Sequence, residues 1–381
     1  MKSTIHSTAV LLVMFVLGCG QVPPGKGEGE VGSTAAGNTR FRVETFAGGL
    51  EVPWSIAFAP DRRVFLTERP GRVRVIENGK LRAEPLATLG DVVSEGENGL
   101  MGLALHPQFQ SNHLLYVAYT YGEGNRVRVV RFRETKTALA DRNVIIEDIP
   151  AATIHAGCRL RFGPDGKLYI TTGDAARREQ AQRLDSLGGK ILRLNDDGTI
   201  PTDNPFVNQQ RARGEIWSYG HRNPQGLDWQ PRTNLMFDTE HGPSGFDGPG
   251  GGDEINIVEK GKNYGWPVIH HQQTKEGMES PLLEYTPSVA PASGMFYRGS
   301  AFAEFRGNFF FGCLRGRALV RVVLDGRKVV SQERLIDQSF GRIREVAEGP
   351  DGAIYFSTSN RDGRGRPAAD DDRIIRLVPV K

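Results

Sequence analysis

Cysteine is scarce in this sequence: three residues in 381, too few for a disulfide framework, so the fold must rest on a hydrophobic core. Charge of one sign is not in excess either. Lys and Arg number 48 against 45 Asp and Glu, a formal net charge of +3. Aromatic residues make up 8% of the chain and are not interleaved with basic runs, which argues against a nucleic-acid partner. No stretch carries sustained helical periodicity; the segment QAQRLDSLGGKIL offers at most a short turn or helix. The apolar run that ends at Val16 and Leu17 is too short to span a bilayer comfortably.

What is present begins with that run. Lys2 precedes it and VLGC closes it, the pattern of a signal peptide over residues 1–18, of the lipoprotein type, in which Cys19 is lipidated and becomes the mature N-terminus. A plain secretory signal with an incidental cysteine is the alternative. The expectation is an exported protein, periplasmic or at the cell surface, that meets a membrane only through a lipid anchor. Residues 19–40 are rich in Gly, Pro and small polar residues and read as a flexible linker. The folded domain is expected over 41–381, from Phe41 onward. Cys158 and Cys313 remain inside it, and from the residues alone a single bridge and two buried thiols are both open.

One phrase recurs along the domain: alternating apolar residues, a proline, often Asp-Gly, then a β-rich run. It appears as WSIAFAPDRRVFLTE, LMGLALHPQF, RLRFGPDGKLYITTGD, GLDWQPRTNLMFDTE and VAEGPDGAIYFSTS, each a hairpin signature. Further strands of the type RVRVIENG, KILRLNDDG and RIIRLVPV follow three copies. Pro60, Pro107, Pro164, Pro231 and Pro350 close the phrases, and the wide last interval holds one more unit, SGMFYRGSAF with FRGNFFFGCL. Units of this length repeated about six times predict an all-β, six-bladed β-propeller. A β-sandwich explains the recurrence less well.

Propeller loops gather around one axis, so chemistry-bearing residues far apart in sequence can meet. His155 stands just before a strand, beside Gly157, where an imidazole facing a central funnel can serve as a general base. In GEIWSYGHRNPQG, Gly220 and Pro224 shape a turn that sets Arg222 and Asn223 side by side, a planar fork and an amide suited to carboxylate or carbonyl oxygens. Arg342 and Arg344 point to one side at strand spacing, and Arg315 adds a further cation. Together they suggest a small polyanionic ligand. The glycine-rich EHGPSGFDGPGGGDEIN carries Asp247, Asp253 and Glu254, and such hard oxygen donors suit calcium, although the spacing is not that of an EF-hand. A flexible acidic loop is the plainer alternative.

Taken together, GENGLMGLALHP, HAGCRLRFGPDGKLYITTGD, YGHRNPQGL, EHGP, DEINIVEKGKNYGWP and GRIREVAEGPDG resemble the soluble aldose sugar dehydrogenases of the glucose/sorbosone dehydrogenase family. These are six-bladed quinoproteins that use pyrroloquinoline quinone and Ca2+. The similarity runs from about Val43 to Leu377. It implies oxidation of the anomeric hydroxyl of an aldose substrate to the lactone, with electrons passed to an external acceptor. By position, His155 matches the family's general base. Arg222, Asn223, Arg342 and Arg344 match cofactor contacts, and the carbonyls of Gly242 and Pro243 match ligands of the calcium that also binds the quinone. Glu254 and the Tyr264 backbone match a second, stabilising calcium site.

Three positions depart from the pattern. Glu97 stands where a glutamine normally touches cofactor or substrate, Arg315 replaces a lysine, and Cys158 replaces a glycine whose loss would crowd the cofactor floor. With Cys313 expected in another ligand-facing loop, the resemblance suggests a Cys158–Cys313 bridge near the site. The alternatives in function are a non-catalytic glycan- or protein-binding propeller and a calcium-dependent lactonase.

Overall fold

A computed structural model describes residues 29–35 and 37–380. The signal peptide, Cys19 and the linker as far as residue 28 lie outside the described residues. Strands dominate and form six antiparallel sheets arranged as a β-propeller. The innermost strands are Pro53–Phe58, Leu100–Leu105, Leu160–Phe162, Pro224–Trp229, Pro291–Phe296 and Ile343–Glu348. Each adjoins the innermost strand of the next blade, and the last adjoins the first, which closes the ring.

The recurring phrase is the inner hairpin of each blade, and its turn chemistry repeats. In PDR, PDG and PDG the backbone of Ala59, Gly163 and Gly349 donates to the carbonyls of Arg63, Lys167 and Ala353. The aspartates Asp61, Asp165 and Asp351 each accept the amide two residues on, at 3.1 Å. An aspartate that caps its own turn in this way fixes the hairpin register locally. Six apolar clusters fill the wedges between neighbouring blades, one at each interface. Alternation of side chains across each strand supplies both faces of every wedge.

The sixth blade is completed by the N-terminal strand Arg40–Ala47, which pairs with Ile374–Pro379. Val31–Ser33 then adds an edge strand against Arg40–Arg42, so ordered structure begins before Phe41 and the end of the expected linker is part of a sheet. The segment QAQRLDSLGGKIL forms no α-helix: it holds the end of the 3₁₀ turn Arg178–Gln182 and the start of the strand Lys190–Leu194.

Among the described residues no disulfide forms: Cys158 and Cys313 are both free and buried. They lie in separate core clusters, Cys158 beside Trp54, Met101 and Leu160, and Cys313 beside Phe309 and Phe311. Burial raises both thiols, Cys158 to about 12, which suits inert core residues.

Candidate active site

Because each sheet is antiparallel, the start of an innermost strand lies at the same end of the barrel as the loop between the second and third strands. Glu97, His155, Arg222 and Arg342 precede innermost strands, whereas Arg69, His241, Arg315 and Asp362 sit in those second loops. All eight line one cavity of about 490 Å³ at the mouth of the ring. Gly242 and Arg344 line it as well, with Trp54 and Leu314 among the apolar walls. Cys158 is not part of the wall, so it does not crowd the floor.

His155 occupies a left-handed backbone conformation, φ 57°, sparsely populated for a residue with a Cβ. Glu97 braces it: its Oε2 accepts the His155 backbone N–H at 2.9 Å, while Oε1 pairs with Arg364 at 2.7 Å. Burial disfavours the Glu97 charge, but Arg364, His241 and His155 outweigh it and hold the carboxyl below its ordinary range. The His155 ring is fixed by Asp174, whose Oδ1 lies 2.7 Å from Nδ1. Trp266 Nε1 donates to the other Asp174 oxygen at 2.8 Å. This network places the proton on Nδ1 and leaves the Nε2 lone pair as the basic site. Asp174 had no assigned role in the sequence; the available signal was its place at the end of ITTGD, directly after a hairpin strand.

The opposite wall is cationic. Arg342 donates to Asp362 at 2.8 Å and Arg344 lies 3.5 Å from the same carboxylate. Burial, with Arg342 and Arg69 nearby, lowers Arg344 to about 10, still a cation at neutral pH. Arg315 is exposed and its guanidinium meets no described protein partner, leaving its fork for an anion. Arg69 and Arg364 enlarge the cluster beyond the arginines expected from sequence.

Gly220 is required at the turn before Arg222: with φ 78°, a Cβ there would lie 2.1 Å from the Asn263 Oδ1. Arg222 lines the cavity, but the glycine-rich loop engages its fork through Asp247 Oδ2 (2.7 Å), the His241 carbonyl (3.1 Å) and Ser244 Oγ (3.0 Å). Asn223 is fully buried rather than in the wall. Its Oδ1 accepts from Gly157 and Gln225, and its Nδ2 has no partner.

Two carboxylates considered for calcium are committed elsewhere. Asp247 holds Arg222, and Asp253 accepts the backbone N–H groups of Gly242, Val289 and Ala290 together with the Ser288 hydroxyl. The Gly242 carbonyl receives no described donor, and the Pro243 carbonyl accepts one, from Gly251 at 3.2 Å, which leaves lone pairs on both. These donors suit a hard cation.

Glu254 and Tyr264 lie outside the cavity wall. Glu254 sits across from Glu240 in the strand pair Met236–Glu240 and Asp253–Val258, with Asp238 one step along. The Tyr264 ring stacks on His221 at 4.7 Å. His221, Asp238 and Glu240 place ligand atoms within 4.8 Å of one another, and neither Asp238 oxygen has a hydrogen-bond partner. Burial and the charge of Glu240 raise the carboxyls of both Asp238 and Glu254 well above the ordinary range. A buried carboxylate short of donors, Asp238, with Glu240 and the half-buried Glu254 beside it, fits a bound cation, and sequence reasoning found only Glu254 of this group.

A sequence model of the family described as Glucose / Sorbosone dehydrogenase matches residues 50–375. The aldose sugar dehydrogenase YliI of Escherichia coli strain K12 is 35% identical over 84% of this chain and 91% of its own. A Thermus thermophilus structure described as an oxidoreductase (glucose dehydrogenase) superposes with a TM-score of 0.82 at 45% identity, covering 89% of this chain and all of that one, 100%. The PQQ-bound aldose sugar dehydrogenase of Streptomyces coelicolor gives a TM-score of 0.79 at 31% identity, over 89% and 98% of the two chains.

Proposed function

Since the chain belongs to the glucose/sorbosone dehydrogenase family, we propose that it oxidises the anomeric C1 hydroxyl of aldoses to the lactone and passes the electrons to an external acceptor. The observation that supports this most directly is the pairing of His155 with Asp174 on one side of a cavity whose other side is a cluster of arginines. His155 Nε2 would take the hydroxyl proton as C1 gives up its hydride and the C–O bond becomes a carbonyl. Glu97 would keep the imidazole aimed by tying down its backbone. Pyrroloquinoline quinone would supply the hydride acceptor, polarised by Ca2+. The chain's cavity-lining donors fit such a planar polyanion: Arg315 is unpaired, and Arg342 and Arg344 share a single carboxylate. The carbonyls of Gly242 and Pro243 would hold the active-site calcium, and the carboxylates around Glu254 the second.

A non-catalytic propeller has no evident need for a carboxylate-oriented imidazole together with Arg222, Asn223, Arg342 and Arg344, and turnover of aldoses rather than hydrolysis of lactones separates the dehydrogenase from a lactonase. On the leader sequence, we also infer export, with attachment to a membrane face through lipidated Cys19.

The test is reconstitution. Apo-protein given the quinone and Ca2+ should reduce an artificial dye when supplied with aldoses. His155→Ala should lower kcat by about 100- to 10,000-fold while the spectral change on cofactor binding persists. Undiminished turnover in that variant would remove His155 from the reaction.

A further inference from the structure

Phe246 is the most exposed large apolar side chain of the described residues, at 66%, and its position is not that of a stray surface residue. Its ring lies over the His155 imidazole, with centroids 6.3 Å apart and planes 24° from parallel. It lines the 490 Å³ cavity and also a second, more open groove of about 810 Å³ beside it. Phe246 is therefore the partition between the two.

The loop that carries it is tied down. Asp247 binds Arg222 through Oδ2 and the Ser244 amide through Oδ1, and its carbonyl accepts from Arg178 at 3.1 Å. A fastened loop thus holds an apolar ring in solvent at the rim of the cavity, where its free face is available to an apolar face of a ligand.

The groove beyond Phe246 is polar. Arg178 pairs with Glu179, Arg183 with Asp185, and Arg213 with Glu215 outside the wall, while the Arg177 guanidinium has no described partner. Donors and acceptors of this kind suit vicinal hydroxyls. An aromatic face flanked by such groups matches a pyranose ring, with its C–H face against the aromatic ring and its hydroxyls toward the polar walls.

We propose that Phe246 and this groove form a second sugar subsite. The reducing-end aldose unit presents its anomeric hydroxyl to His155, and the next glycosidically linked unit lies on Phe246, so neutral reducing oligosaccharides are favoured over monosaccharides. The assignment of the first unit rests on the dehydrogenase function proposed above; the stacking platform itself does not. Phe246 acts as a substrate-positioning residue, expressed in KM rather than kcat.

Two measurements test it. The first is the kinetics of the reconstituted holoenzyme with glucose, cellobiose, cellotriose, maltose and maltotriose. In at least one series the KM should fall about tenfold from one unit to two, the effect of roughly 1.4 kcal/mol. Phe246→Ala should bring the ratio of glucose to oligosaccharide KM close to one, and Phe246→Trp should restore it. The second is calorimetric titration of the same sugars into apo-protein, where the preferred oligosaccharide should bind about tenfold more tightly to the native chain than to Phe246→Ala. Equal KM across both series together with equal Kd in native protein and variant would overturn the subsite. If no sugar were oxidised but the Phe246-dependent binding persisted, the subsite would stand and the dehydrogenase function would fall.

Discussion

His155 is gripped at two points: its backbone amide by Glu97 and its Nδ1 by Asp174. Of these constraints, the one that decides protonation is Asp174, because a carboxylate on Nδ1 fixes the tautomer and stabilises the imidazolium that follows proton transfer. Asp174→Asn keeps the size of the side chain but can present its N–H to Nδ1 and invert the tautomer. That variant is expected to lose about 100- to 10,000-fold in kcat with an unchanged spectral response to the quinone; steady-state kinetics beside a cofactor titration separates the two. The sequence showed the base and not its orienting partner for a physical reason. His155 stands at a loop-to-strand junction beside glycine, whereas Asp174 looks like any carboxylate after a strand until the hairpin Leu160–Phe162 to Leu168–Thr172 folds it back over nineteen residues of separation. Glu97 is a similar case. It read as a departure from a glutamine, and only its pairing with Arg364, contributed by a loop at the far end of the chain, explains how the cavity tolerates the charge.

At the level of elements, the strand pair Met236–Glu240 and Asp253–Val258 carries a conflict that it cannot resolve alone. Asp238 and Glu240 are buried on one face with the half-buried Glu254 across from them, and among the described residues the His221 imidazole lies within ion-pair distance of Asp238 and Glu240. Like charges confined at low dielectric are costly. A divalent cation would relieve the repulsion and give a ligand contact to Asp238, whose oxygens accept no hydrogen bond. Chelation at neutral pH should therefore lower Tm by a few degrees, and Ca2+ should restore it. Asp238→Asn should raise the Tm of the chelated protein while abolishing most of the response to Ca2+, since it removes the repulsion and the ligand together. Thermal unfolding of both proteins with and without chelator reads this directly, and an undiminished calcium response in the variant would exclude Asp238 as a ligand. Sequence pattern could not assemble the group, because alternation along a β-strand marks which residues share a face without saying that a second strand supplies more acids to it.

Over the whole molecule, the blades were legible because five of the inner hairpins carry a proline between apolar-alternating runs, followed in three of them by an aspartate that caps the turn. Closure was not: the pairing of Arg40–Ala47 with Ile374–Pro379 joins the two ends of the chain and leaves no local signature. Nor was the feature that ties the blades together beneath the cavity. Arg159, fully buried just before the third innermost strand, pairs with Glu345 on the sixth and donates to Ser55 on the first and to the Gln225 carbonyl on the fourth. Glu345 also accepts from Ser293 on the fifth and pairs with Arg161 at 3.1 Å. Burial opposes the Glu345 charge, but Arg159 and Arg161 prevail and hold its carboxyl below its ordinary value of 4.5. A carboxyl depressed in the folded state contributes stability that is present above the unfolded value and lost as pH falls through the folded one. Glu345→Gln leaves Arg159 buried without its counter-charge, at a cost of about 3–5 kcal/mol near pH 7. Below pH 4.5 the native glutamate protonates and comes to resemble the glutamine, so the stability gap between the two proteins should narrow. Denaturant unfolding of both across pH 3–7 would show that convergence. A gap of constant size would mean that Glu345 acts through shape and hydrogen bonding, and that the charge at the centre of the ring does not hold its blades together.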